Sequence, residues 1–309
     1  MKTRKLIPVY LQEMKILNRS PYTIRITRYN LLDLVRFLED EGVYDIEQLT
    51  AGIMEEYQHD LAFRLTSKGK LLALRSQEKR LCCAKGFTKF LYEKDYLVSD
   101  PGADLKLPKQ PKRLPKTILT DKDIKGMLAA ADMRTNSGYR NRIILELLYD
   151  TGIRRLELAK IKIHDLDLQT GYIHIQGKGS KDRVVPVCKR VCDLIHNYIV
   201  VVRPELLQGK DDGYLILNRW GRKMDPNGIW AVVKRCAHLA RIKKNVSPHT
   251  FRHTCATHML QNGAPVRHIQ ELLGHESLES TQIYTHITIN DLKQIHARCH
   301  PGETMMEMR

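Results

Sequence analysis

No apolar run in the 309 residues approaches the roughly 18 needed to span a bilayer. The basic opening MKTRKLIPVY is followed by no apolar stretch, so no signal peptide is expected. There are 7 cysteines, an odd number, and none forms a Cys-x2-Cys pair. A disulfide framework and a cysteine-rich zinc module are both disfavoured, and a reducing cytosol is the expected compartment. There is no GxxxxGK(S/T) loop for a nucleotide and no cluster of carboxylates spaced for two metal ions. No internal repeat and no low-complexity tract interrupts the chain. Acidic charge is scarce: 51 Lys and Arg stand against 35 Asp and Glu, for a net charge of +16. An excess of that size points to a polyanionic partner, and with no basic amphipathic helix carrying aromatic anchors, nucleic acid is preferred over a membrane face.

The charge is uneven. Residues 31–60 hold nine acids and the single base Arg36, so that stretch cannot face a phosphate backbone. Ser20-Pro21 reads as an N-cap with proline at the first helical position, and Ile24, Leu31, Leu32, Val35 and Leu38 follow at helical spacing up to Gly42. Thr50 opens a second helix through Ile53, Met54, Tyr57 and Leu61. Ser67 is expected to open a third, through Leu71, Leu74, Leu81, Phe87 and Leu91. With no convincing strand before residue 110, this part is a bundle of about four helices.

The segment KLPKQPKRLPK (106–116) has three prolines and five basic residues, so it forms neither an interior helix nor a central strand. Its charge suits an extended linker lying along DNA; a plain solvated hinge is the alternative. Thr120 and Asp123 have capping-box spacing. Residues 139–150 are expected to be helical, with a short helix after Gly152. Then three β-rich runs, 161–163, 172–176 and 183–187, predict a small antiparallel sheet whose second turn is GKGSK. From 188 onward the pattern is helical, with breaks near 209–213, 219–228 and 243–248. The fold class is therefore mainly α with a small antiparallel β-sheet.

Several residues could carry chemistry. Ser247 caps and Pro248 opens a helix on which His249 and Arg252 share a face in the first turns, where an anion is favoured. His249, His253 and His258 recur along it, yet zinc wants a fuller ligand set. Arg154 and Glu157 are one turn apart, so the carboxylate can hold the guanidinium; alone, they read as an ordinary surface ion pair. Lys178 lies between two glycines, either a proton donor at a hairpin tip or a solvated lysine. His275 follows Gly274, and Tyr284 in TQIYTH would by itself be core or interface.

In combination and in this order, the motifs DPGADLKLPK, TGIRRLEL, GKGSKDRVVPV, SPHTFRHTCATHML and LLGHESLESTQIYTHI make the chain resemble the tyrosine recombinase (phage integrase) family. The stretch TQIYTHITINDLKQIHARCHPGE is most similar to the bacterial Xer-type recombinases. The resemblance runs from about residue 100 to 301; the helical part before it matches in length and character only. Arg155 and Phe251 depart from the family's common residues at positions outside the site.

The resemblance implies a helical core-binding domain over 1–94, a basic linker over 95–116, a tyrosine recombinase catalytic domain over 117–300 and a tail over 301–309. It implies site-specific cutting and rejoining of double-stranded DNA through a 3′-phosphotyrosine, with no cofactor, metal or ATP. Arg154 and Arg252 would grip the scissile phosphate, with Glu157 supporting Arg154. Lys178, His249 and His275 would complete the site, and Tyr284 would be the nucleophile. The expected partners are a specific DNA site and a homo- or hetero-tetramer on paired sites, with an accessory recombinase or activator, in a bacterial-type cytoplasm and on the nucleoid when bound. The last helix, near 288–298, would dock into a neighbouring subunit or pack on its own. A type IB topoisomerase and a non-catalytic DNA-binding regulator are the competing readings.

Overall fold

The structure is a computed structural model that describes residues 1–109, 117–176, 182–274 and 289–301, with the side chains of 289–292 excepted. The chain divides into two compact units, Met1–Arg113 and Leu114–Arg309.

The first unit is a helical bundle of α1 (Thr3–Ile16), α2 (Pro21–Asp40), α3 (Ala51–Phe63) and α4 (Leu74–Glu93). Two caps read from sequence are in place: the Ser20 and Thr50 hydroxyls accept from the N–H of Thr23 and Ile53, at 3.1 and 3.4 Å. The spacing of Leu31, Leu34 and Leu38 on α2, Met54, Tyr57 and Leu61 on α3, and Leu81, Phe87 and Leu91 on α4 puts all nine in one buried core. One expectation fails. Ser67 opens no helix, because Gly69 adopts φ +68 and Leu65 pairs with Leu71 across a tight turn. The helix starts seven residues later, at Leu74. The segment expected to begin a linker at 95 stays on this unit as far as 106. Leu105 is buried in its core, and the Lys85 ammonium donates to the carbonyls of Ala103 and Leu105, both at 2.8 Å.

The second unit is built around α6 (Asn136–Asp150). Its run RIILELLYD is apolar on nearly every side, and Ile143, Ile144, Leu145, Leu147 and Leu148 are fully buried. A helix of that kind belongs at the centre of a domain. Around it lie α5 (Asp121–Ala129), α7 (Arg155–Leu158), α8 (Lys189–Asn197), α9 (Arg203–Leu206), α10 (Pro226–Leu239), α11 (Pro248–Gln261), α12 (Val266–Leu273) and α13 (Ile289–Cys299). A π turn over Tyr198–Val202 joins α8 to α9. The Thr120–Asp123 capping box is present, with bonds of 2.9 and 3.2 Å.

The sheet is antiparallel, in the order β1 (Leu166–Asp167), β2 (Tyr172–Ile175), β3 (Arg183–Pro186), with Ile173 opposite Val185 and Ile175 opposite Arg183. The first strand is not at 161–163. That run instead meets residues 213–215: Ile163 N–H donates to Gly213 O and Leu215 N–H to Ile161 O, each at 2.9 Å. Its partner lies some fifty residues away, so local pattern does not place it. The second turn, GKGSK, lies outside the described residues.

The last helix, α13, packs on its own unit. His296 and His300, one turn apart, put their Nε2 atoms 2.7 Å from Asp150 O and 3.1 Å from Tyr149 O. Those are the final carbonyls of α6, which have no partner within their own helix.

Candidate active site

Four elements meet around the loop Thr151–Arg154. The chain leaves α6, turns at Gly152 with φ +60, and places Arg154 at the N-cap of α7. A side chain at Gly152 would put its Cβ 2.7 Å from Leu273 Cδ2, so the turn needs glycine for space as well as for φ.

The sequence-predicted Arg154–Glu157 pair is present and is more than a surface pair. Arg154 Nη1 donates to Glu157 Oε1 at 2.9 Å, and the Arg154 backbone N–H donates to Oε2 at 2.8 Å. Arg183, on β3, donates to the same carboxylate through Nη1 and Nη2 at 3.0 and 2.8 Å. Burial alone would raise the Glu157 carboxyl. The hydrogen bonds from Arg183 and from the Arg154 N–H outweigh it and hold the group at about 2. Glu157 is thus an anion at any working pH. Arg154 remains 45% exposed in its side chain, whereas Arg183 is only 14% exposed.

Arg252, on α11, is buried and reaches the same place from the opposite side. Its Nη1 donates to Gly152 O at 2.8 Å and its Nη2 to Leu273 O at 2.6 Å. Arg154 Nη2 donates to the next carbonyl, Gly274 O, at 3.1 Å. Two guanidiniums therefore converge on adjacent carbonyls at the end of α12. Burial, then the Arg154 charge beside it, pull the Arg252 guanidinium down to about 10, so it stays protonated at neutral pH.

His249 stands exposed in the first turn of α11, three residues before Arg252. The Ser247 cap is formed: its hydroxyl accepts from the Thr250 N–H at 3.3 Å, and Thr250 Oγ1 accepts from the Ser247 N–H at 3.1 Å. Of the six residues singled out in the sequence, Arg154 and Arg252 are brought together by direct contacts to neighbouring carbonyls, and His249 lies on the helix that carries Arg252. Lys178, His275 and Tyr284 lie outside the described residues. In sequence, Lys178 follows the end of β2 by three positions, and His275 directly follows Gly274.

Arg183 was missed as a site residue. One signal was available: in the β2–β3 register it shares a face with the fully buried Val185, and a charge on an apolar strand face needs a buried partner.

Among the described residues, one group could hold a metal ion: Asp150, His296 and His300. Asp150 Oδ1 is buried and accepts no hydrogen bond, with His300 Nδ1 at 3.4 Å and His296 Nε2 at 3.7 Å. The two imidazoles, however, stack 4.8 Å apart with planes 5° apart. Stacked rings aim their in-plane lone pairs along parallel lines, not at one ion. Each also spends its Nε2 on a carbonyl. The group is a cap on the end of α6.

Solved structures share the architecture. A lambda integrase dimer bound to a COC′ core site matches with a TM-score of 0.70 at 16% identity, over 94% of this chain and 100% of that one. The XerH site-specific recombinase bound to difH substrate matches with a TM-score of 0.67 at 22% identity, over 94% of this chain and 83% of that one. At these identities the likeness is one of fold alone. In sequence, the protein named tyrosine recombinase XerC 2 from Ralstonia nicotianae is 36% identical over 96% of this chain and 86% of its own length. The tyrosine recombinase XerD of Staphylococcus epidermidis is 34% identical over 91% of this chain and 93% of its own. The model of the phage integrase family matches residues 117–290, and the chain belongs to that family.

Proposed function

We propose that the chain is a site-specific tyrosine recombinase, which cuts and rejoins duplex DNA through a covalent 3′-phosphotyrosine. The observation that carries this reading is the convergence of Arg154 and Arg252 on the Leu273 and Gly274 carbonyls. A phosphodiester repels a nucleophile because its oxygens are already negative, and more charge gathers as the nucleophile adds. Two guanidiniums donating to the non-bridging oxygens offset that charge without a metal or ATP, and each such preorganised donor is worth on the order of 10²–10³ in rate.

The remaining roles follow from chemistry. The Tyr284 phenol, with an ordinary pKa of about 10, loses its proton as its oxygen attacks phosphorus, with His249 as the helper. The bond from phosphorus to the 5′ oxygen breaks, and Lys178 protonates the departing oxygen. The phosphotyrosine keeps the energy of the broken bond. The 5′ hydroxyl of a second strand then attacks it, releases the tyrosine and reseals the backbone. His275 is the second histidine of the site. The helical bundle over 1–94 and the basic segment 95–116 add DNA-binding area to the catalytic part over 117–300, with 301–309 as a tail. Tetrameric assembly on paired sites, with or without a second recombinase, completes the reading, in a cytoplasmic setting.

The test incubates the purified chain with a pool of randomised duplexes and seeks a protein–DNA band that survives denaturation. Tyr284→Phe is expected to retard DNA on a native gel and to form no such band. A band persisting in that variant would move the nucleophile elsewhere. Strand exchange between two marked duplexes separates a recombinase from a type IB topoisomerase. Lys178→Ala is expected to cleave slowly, and a 5′-sulfur leaving group, which needs less protonation, to restore much of the rate. Absence of rescue removes Lys178 as the acid.

A further inference from the structure

We infer that Arg183 is a positioning residue for strand cleavage: it takes up the charge of Glu157, so that Arg154 keeps its own for the phosphate, and it pins the end of α12 on which both phosphate-gripping arginines rest. The inference deepens the recombinase reading and rests on it.

The charge argument starts from Glu157. Its two oxygens receive four donors, two from Arg154 and two from Arg183. The charged groups facing it are Arg154 from α7, Arg183 from β3 and, at longer range, Arg252 from α11. One carboxylate between two guanidiniums leaves one positive charge over. Arg183 cannot be the group that presents it. It is largely covered, both its Nη atoms are spent on Glu157, and its Nε donates to Leu272 O at 3.2 Å. Arg154 is half exposed, so the surplus faces outward there. Without Arg183, Arg154 and Glu157 would form a neutral pair, and Arg252 alone would bring net charge to a phosphate.

The mechanical argument starts from Gly274. It ends α12 in the left-handed region, φ +62, and a Cβ there would sit 3.2 Å from Arg183 Cδ. The stem of Arg183 therefore lies against Gly274 while its Nε holds Leu272. The carbonyls of Leu273 and Gly274, held between those two contacts, are the ones that orient Arg252 and Arg154. β3 begins five residues after Lys178 in sequence, so the same side chain anchors the strand that leaves the Lys178 turn.

The experiment uses the full chain and duplexes recovered from the pool as covalent adducts. If the wild type yields no adduct, the recombinase reading fails and Arg183 is not at issue. Given wild-type adduct, Arg183→Gln is expected to form it roughly 10²-fold more slowly, the scale for misplaced catalytic groups. DNA affinity should hold within about threefold, because Arg183 presents no charge to a phosphate backbone. Arg183→Lys keeps the charge without the fork and should fall between the two. The pH profile separates positioning from general support. With Arg183 gone, the Arg154 bonds alone oppose burial, so the Glu157 carboxyl rises from about 2. The Gln variant should then lose rate at a higher pH than the wild type does as the solution is made acidic. Should Arg183→Gln fail to fold by its melting curve, the Lys variant carries the same comparison. Either a wild-type rate, or a loss shared equally by binding and cleavage with the wild-type pH profile, overturns the inference.

Discussion

Glu146 and Glu157 stand on successive helices, and each is shared by two arginines, yet they serve opposite ends. Glu146 is fully buried and takes Arg142 at 2.7 Å and Arg190 at 2.7 and 2.6 Å. Both of those arginines are covered, at 20% and 16% exposure, and Arg142 spends a further donor on Leu128 O. Nothing of that cluster faces outward. At Glu157 one arginine is covered and the other is left half exposed, beside a third guanidinium, Arg252, which donates to the Gly152 and Leu273 carbonyls. The same ion cluster locks a fold when both cations are covered, and equips a site when one is left half exposed.

Three substitutions sharpen that contrast. Glu146→Gln should have the largest effect on stability. Removing one partner of a buried ion pair costs about 3–5 kcal/mol, here with two covered guanidiniums left behind. Its melting temperature should fall sharply, while adduct formation per folded molecule at low temperature should stay near wild type. Glu157→Gln should melt closer to wild type, because only Arg183 is left covered while Arg154 can turn to water, yet form adduct far more slowly. The sign with pH follows from the depressed carboxyl: the Glu157 contribution to stability is full above its ordinary range near 4.5 and is lost as pH falls towards about 2. Acid unfolding of the Gln variant should lack that component. If Glu146→Gln lost activity in parallel with Glu157→Gln, the division of labour between the clusters would fail. The smallest effect belongs to a third pair, Asp132 and Arg134, which lies on the surface at 2.9 Å. Asp132→Asn should leave both melting temperature and adduct yield unchanged, since exposed pairs contribute little.

The sequence reading succeeded where the determinants are local. Caps at Ser20, Thr50, Thr120 and Ser247 depend on a side chain and an N–H three residues apart, and all four are found. The helix over 139–150 was read, but not its place at the centre of its unit. The second and third strands were legible as β-rich runs between turn residues. Misreadings arose where a partner is remote. Residues 161–163 looked like a sheet strand and pair instead with 213–215. The apolar periodicity after Ser67 concealed a turn at Gly69. Arg183 reads as a strand residue until Glu157, 26 positions earlier, and Leu272, 89 later, are seen to close on it. Arg154, Arg252 and His249 were singled out because their motifs fix residue type and order, although no single motif reveals that two arginines rest on one pair of carbonyls.

The seat of α13 has a consequence for the other end of the second unit. His296 and His300 close the final carbonyls of α6, and two residues after Asp150 comes Gly152, whose own carbonyl holds Arg252. The last helix and Arg252 thus stand on one short stretch of backbone. A chain clipped just before residue 296 would retain Arg154 and Arg252 and lose the floor beneath them.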